Sequence, residues 1–329
     1  MPLVRAMRLI NALEAGTLNS AGLQALLTSD PTRLSELSVM YGMRGQARRI
    51  INSHSAFTTL LSSSASLNHL LVHPTLMAEI KANASAYNAL LSSDTSRAKL
   101  YAAQAGLDPQ AYSSVAGLLD WALSSPSQLS QALRSEGLFL DLLRMPARMS
   151  VIDASASLRA TVYGGALGGG YLGCVVTAED GRYAVIQAPK IGGENASVQW
   201  KLTNTTSLTS SNTYFGLPIA EALNDAQHPL FQWSRSLTIG GYIDWAPPTA
   251  PVLQLLLDRM RPSVAENALF KVGGAQAYEA GNYWAACPER DASDYVQGGA
   301  PFVNSLSGAW SYSSRDQLAR ARAVRMIKL

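Results

Sequence analysis

Two cysteines, four histidines and two glycine-rich stretches are the residues of this 329-residue chain whose types could carry chemistry. Cys174 and Cys287 lie far apart, in the apolar settings LGCVV and YWAAC, and neither has an activating neighbour in sequence. The separation leaves a disulfide open, but two buried thiols in a protein made in a reducing cytoplasm fit better. His54 and His73 fall at breaks between apolar runs, His69 just before Leu70, and His228 just before Pro229. No pair of them has metal-ligand spacing with cysteine or carboxylate partners, so all four read as polar capping or surface residues and no metal is expected. GGALGGG, Gly164 to Gly170, lacks the Lys-Ser/Thr of a phosphate loop. No Ser/His/Asp order or paired-carboxylate motif stands out, so no catalytic residue and no cofactor are assigned. What remains is LTIGGYIDWAPP, Leu237 to Pro248, where two glycines, an aromatic, an acid, a tryptophan and two prolines make a rigid corner before a helix-like VLQLLLDRM. Such corners hold chemistry in some proteins and architectural joints in others.

The elements that would position these residues differ along the chain. Apolar residues make up 47% and charged residues only 15%, with Ser, Ala, Thr, Asn and Gly filling the deficit. A weakly charged polar surface suits a protein buried in an assembly, and equally a soluble protein with a neutral surface. The net charge of +3, from 26 basic and 23 acidic residues, is too small to imply a nucleic-acid partner. The basic runs RGQARRI (Arg44 to Ile50) and RDQLARARAVRMIK (Arg315 to Lys328) lack interleaved aromatics and read as charged helix ends. The N-terminus has no signal-peptide pattern, and no apolar run approaches the ~20 residues of a membrane span. Near residue 150 a glycine-poor, Ala/Leu/Ser-rich half gives way to a half with β-branched runs and most of the tryptophans. The expected organisation is α+β: a helical segment over 1–52, a helical repeat over 53–150, and a sheet-bearing domain over 151–329. The first forty residues read as short helices broken at Gly16 and at Ser29-Asp30-Pro31, capping the repeat.

That repeat has a period of ten. Phe57, Leu67, Met77 and Tyr87 are ten apart, as are Leu60, Leu70, Ile80 and Leu90; Leu61, Leu71 and Leu91 follow, with Lys81 the exception. Ten residues of continuous α-helix turn about 1000°, roughly 80° short of three turns, so one apolar stripe would wind off any flat partner. Neither a seven- nor an eleven-residue coiled coil fits. Each decad therefore reads as a short helix and a corner, with Ser, Asn and His-Pro as caps and starts, stacked into a narrow solenoid. An ordinary bundle with coincidental spacing is the competing reading.

In the second half, YLGCVVTAEDGRYAVIQAP reads as a hairpin turning at Asp-Gly. GLPIAEALNDA and VLQLLLDRM read as helices, and GNYWAAC and ARAVRMIKL as strands. The order GRYAVIQAPK, WK, NDAQHP, SLTIGGYIDW, YWAAC and ARAVR resembles the Lcl-type C-terminal domain, of C-type-lectin-like fold, found in bacterial surface proteins and at the ends of phage tail proteins. The resemblance spans roughly residues 163 to 329. Gly240, Gly241, Tyr242, Asp244, Trp245 and Pro248 match the family's corner, whereas Ala246, Pro247 and Pro251 depart from it. It implies a structural corner: Gly240 and Gly241 supply backbone angles or a close approach, Asp244 accepts from turn amides, and Trp245 is a buried anchor. It also implies a virion protein of the tail (fibre, tip or baseplate-associated), made in the host cytoplasm and binding other tail proteins and a host surface receptor, glycan or protein. Homotrimeric assembly follows from the same analogy. A bacterial adhesin is the alternative. An enzyme of the formylglycine-generating type shares the broad fold but needs a pair of active cysteines. The candidate receptor-binding loop runs from Glu289 to Asp316 and offers Tyr295, Phe302, Trp310 and Tyr312 among Ser, Asn and Gly.

Overall fold

The structure, a computed structural model, describes residues 2–30, 32–205, 215–286 and 299–329. It is α+β, with helices as far as Val162 and two sheets with further helices beyond. Among the described residues no helix is long and apolar enough to cross a membrane.

The first compact unit, Met1–Ser124, is a stack of short helices. Helices α1 (Pro2–Glu14), α2 (Ser20–Ser29) and α3 (Arg33–Gly42) lead into α4 (Arg44–Asn52), α5 (His54–Ser62), α6 (Ser64–Leu71), α7 (Pro74–Ala82), α8 (Ala84–Ser92) and α9 (Asp94–Gln104). A 3-10 turn (Pro109–Ala111) and α10 (Val115–Leu123) complete it. From α4 to α9 a helix begins every ten residues, and single residues in extended conformation, Ser53, Ser63, His73, Asn83 and Ser93, make the corners. Ser63, Asn83 and Ser93 accept the amide hydrogens of Ser66, Ala86 and Ser96, meeting donors that a helix start leaves open. Pro74 occupies the first position of α7, where no amide hydrogen is needed.

Each helix packs on the next and on the one three further along: α3 on α6, α4 on α7, α5 on α8, α6 on α9. The array therefore turns by roughly a third of a revolution per helix, giving a triangular solenoid. Side chains about thirty residues apart tie successive turns. Arg44 and Arg48 donate to Glu79 at 2.6 and 2.7 Å, holding its carboxyl below the usual range. Asn83 donates to Asn52 at 3.0 Å, and the buried Lys99 to Ser64 at 2.5 Å. The apolar register explains the stacking. Ile50, Leu60, Leu70, Ile80, Leu90 and Leu100 form one fully buried row. The adjoining row is mixed: Leu71 is buried, Leu61 and Leu91 are half-buried, and Lys81 is exposed.

The second unit, Ser125–Leu329, begins with more of the same. Helices α11 (Pro126–Ala132), α12 (Glu136–Leu143), α13 (Pro146–Asp153) and α14 (Ala156–Val162) again start ten residues apart, and α11 packs on α14. Ala122, Ala132, Leu142, Ile152 and Val162 continue the register, all buried. The compact units divide at 124/125, ahead of the change in composition near residue 150, and α14 is bonded to the later part of its unit: Arg159 pairs with Glu266, and Ala160 O accepts from Asn267.

Strands β1 (Ala166–Leu167), β2 (Gly170–Ala178) and β3 (Gly181–Gln187) join β9 (Val324–Lys328) in a four-stranded sheet of order β1-β2-β3-β9. The single irregular turn α15 (Lys190–Gly193) leads to β4 (Glu194–Gln199), which joins β5 (Asn282–Trp284), β6 (Ala300–Asn304), β7 (Trp310–Ser313) and β8 (Leu318–Arg322) in a sheet of order β4-β8-β5-β6-β7. The last run of the chain serves both sheets: β8 lies in one, β9 in the other, and Ala323 between them donates to Gly193 O and accepts from Ala188 N. Helices α16 (Gly216–Ala222) and α17 (Pro229–Arg235) close a core around Trp200, Phe231 and Trp284, and α18 (Ala250–Met260) packs on β2 around Val185 and Leu256.

Candidate functional site

The Gly-Gly corner is a two-residue turn between Ile239 and Tyr242, which exchange both main-chain hydrogen bonds at 3.1 Å. Gly240 and Gly241 have φ of +62° and +82°, as a turn with two left-handed residues requires. It packs against another turn of this kind, Gly168-Gly169, at the β1–β2 tip, with φ of +56° and +81°. A Cβ on Gly240 would stand 2.6 Å from Gly169 Cα, so the two backbones meet where only hydrogen fits.

Arg325, on β9, holds this joint together. Its guanidinium lies 3.6 Å over the Tyr242 ring, donates to Gly168 O at 3.0 Å, and pairs with both oxygens of Asp244 at 2.9 and 3.1 Å. Asp244 is therefore an ion-pair partner and not the acceptor of turn amides that the sequence suggested. A fork-to-fork guanidinium pair is both stronger and more directional than neutral amide donors. Arg325 escaped the sequence reading because 81 residues separate it from Asp244. Trp245 is fully buried, and its indole nitrogen has no hydrogen-bond partner among the described residues.

A second long-range group sits where the sheets meet. Buried Arg322 donates to Ala188 O, Gln276 O and Gln276 Oε1 at 2.6 to 3.0 Å. Nearby Glu194 accepts from the Tyr283 hydroxyl at 3.0 Å and from Arg320 at 3.1 Å. Burial lowers the affinity of the Arg322 guanidinium for its proton, and burial together with the Glu194 charge raises the Tyr283 phenol. Every polar arm of Arg322 is engaged, which fits a fastener between sheets better than a group awaiting a substrate.

The four aromatics of the candidate binding loop fare differently. Phe302 on β6 is half-buried against the Trp284 side of the core, its ring 6.3 Å from that indole. Trp310 and Tyr312 lie two residues apart on β7, hence on one face of the outermost strand, with ring centroids 5.4 Å apart. Trp310 is 54% exposed and Tyr312 half-buried. The tryptophan is the more open of the two. Tyr295 lies outside the described residues, as does Cys287.

Among the other reactive types, Cys174 is buried in β2 and burial pushes its thiol up to about 12, away from the range of a nucleophile. His54 opens α5, His69 is half-buried in α6 and His73 forms the corner before α7. His228 departs from the surface reading. It sits buried at the position before α17 without a side-chain capping bond, its Nδ1 2.7 Å from Asp225 and its ring edge-on to Trp200 and Phe231. The large rings of the core enclose it because the Asp225 carboxylate supplies the polar partner it needs there.

Compared with family models, curated proteins and solved structures, the chain matches none. A functional reading therefore rests on the residues and on the geometry just described.

Proposed function

We propose that this chain is a non-catalytic virion protein of a bacteriophage tail (fibre, tip or baseplate-associated), with a lectin-like C-terminal unit that contacts the host surface. The observation that carries this reading is the pair Trp310–Tyr312 on the outer strand of the five-stranded sheet, with the tryptophan more than half exposed. A strand that holds an exposed tryptophan against a half-buried tyrosine presents contact area at low entropic cost. The triangular solenoid supports the tail assignment. It is an elongating architecture with a weakly charged, Ser- and Asn-rich surface suited to packing on other tail proteins, and homotrimeric assembly belongs to the same proposal. The buried Cys174, the saturated Arg322 group and the glycine joint all fit architecture better than turnover.

The test is adsorption. Particles carrying Trp310→Ala together with Tyr312→Ala should assemble with normal copy number and bind host cells at least tenfold less. Unchanged adsorption by correctly assembled particles would recast the unit as an assembly adaptor. Mass measurement of the purified chain checks the trimer separately, and a stable monomer counts against it.

A further inference from the structure

A cavity of 330 Å³ opens in the second unit between α14, β2, α18 and the segment 264–267. This lies at the lower end of the range for small-molecule sites, about 300–1,000 Å³. Val175, Leu255, Met260 and Val264 give it an apolar wall. The polar groups around it are mostly committed to one another. Glu266 is gripped by Arg159 at 2.6 and 2.9 Å, Asp258 accepts from Gln254 at 2.8 Å, and Asp153 accepts from the Tyr163 hydroxyl at 3.0 Å.

Arg259 is held less tightly. Its guanidinium lies 3.8 Å over the Tyr163 ring and forms a long ion pair with Asp153 at 3.5 Å, but among the described residues its side chain makes no hydrogen bond. Stacking fixes the plane of the fork and leaves its donors at the edge, on a side chain 38% exposed at the cavity. A planar, oriented guanidinium with open donors matches a carboxylate in both shape and charge. A dianion such as phosphate would meet Asp153, Asp258 and Glu266 close by, whereas a single negative charge meets less repulsion.

We propose that this cavity binds a small monocarboxylate with an apolar body, the carboxylate on Arg259 and the body against Val175, Leu255 and Met260. The site is separate from the β7 aromatics and stands whether or not these contact a host.

The experiment titrates the full chain with 3-phenylpropanoate and with 3-phenylpropanol, which has the same apolar body without the charge. Calorimetry reads affinity, and the 13C-methyl signal of Met260 reads location. The acid should bind at least tenfold more tightly than the alcohol and shift the Met260 methyl. In Arg259→Gln the acid should fall to the affinity of the alcohol, with the melting temperature confirming the fold. Equal affinities for acid and alcohol in the unaltered protein overturn the proposal without recourse to any variant. So do failure of both to bind, acid binding that leaves Met260 unmoved, and an Arg259→Gln variant that still prefers the acid.

Discussion

Gly240 and Gly241 are adjacent and share a left-handed backbone, yet they should not tolerate alanine equally. A Cβ at Gly241 meets nothing within 4 Å, so Gly241→Ala should cost only the conformational penalty of about 1–2 kcal/mol. At Gly240 the same methyl collides with Gly169 at 2.6 Å, backbone against backbone, and neither turn can yield without moving the other. Gly240→Ala should therefore destabilise by at least twice as much in chemical denaturation, and equal losses would dismiss the close approach as the reason for the glycine. Trp245 gives a second contrast. Trp245→Ala empties a fully buried site and should cost ~3–5 kcal/mol. Trp245→Phe keeps most of the volume and removes an indole donor that has no partner among the described residues, a group whose burial costs about 1–3 kcal/mol. The phenylalanine variant should thus stay within ~2 kcal/mol of the parent, and a loss matching that of alanine would mean that the nitrogen is bonded in solution. At this scale the sequence was legible where a residue type has few uses, as with paired glycines beside an aromatic. It was silent on Arg325 and Arg322, because one arginine in a basic terminal run looks like another until the sheet register brings 325 to Asp244 and 322 to Gln276.

The decads show what element-scale pattern can and cannot carry. Period ten conflicts with a straight helix and so demands corners, and the Ser, Asn and His-Pro residues between the apolar runs mark them, at Ser53, Ser63, His73, Asn83 and Ser93 in the structure. Three helices per turn was not legible, since the angle at each corner depends on how neighbouring rows pack. The row of small and medium residues Ala56, Ser66, Leu76, Ala86 and Ser96, all buried, went unread because serine blurs an apolar pattern. Neighbouring positions in sequence should therefore respond oppositely. Ile80→Ala removes the centre of the buried row and should cost ~2–5 kcal/mol. Lys81→Leu restores the apolar type its row has elsewhere, at an exposed edge, and should stay within ~0.5 kcal/mol of the parent. Thermal unfolding of the two variants decides the matter. Comparable losses at both positions would contradict the one-sided burial that the triangular stack imposes.

At the scale of the whole molecule, the compact units divide at Ser125, ahead of the change in composition near residue 150. The glycines, β-branched runs and tryptophans that mark a sheet begin after residue 150, but contacts and not composition define a folding unit, and α11–α14 are compositionally like the solenoid. The ten-residue register runs unbroken from Ala122 to Val162, so nothing local signals that the partners change at Ser125. In the second unit α11 packs on α14, Phe139 crowds Gly165, and Arg159 and Ala160 bond to Glu266 and Asn267. A fragment starting at Val151 keeps α14 but strips it of α11, and it also loses Leu129, Leu138, Phe139 and Leu142, all fully buried. Each such side chain contributes about 1.5–3 kcal/mol by burial, so their sum is comparable with the 5–15 kcal/mol by which an entire domain is stable. The fragment 125–329 should accordingly express as a soluble species, melt in one cooperative transition and retain the near-ultraviolet signal of its packed tryptophans. The fragment 151–329, cut where composition changes, should aggregate or lose that signal while keeping sheet content. Two fragments of equal stability and equal near-ultraviolet signal would mean that α11–α13 are an appendage and that the boundary belongs near residue 150 after all.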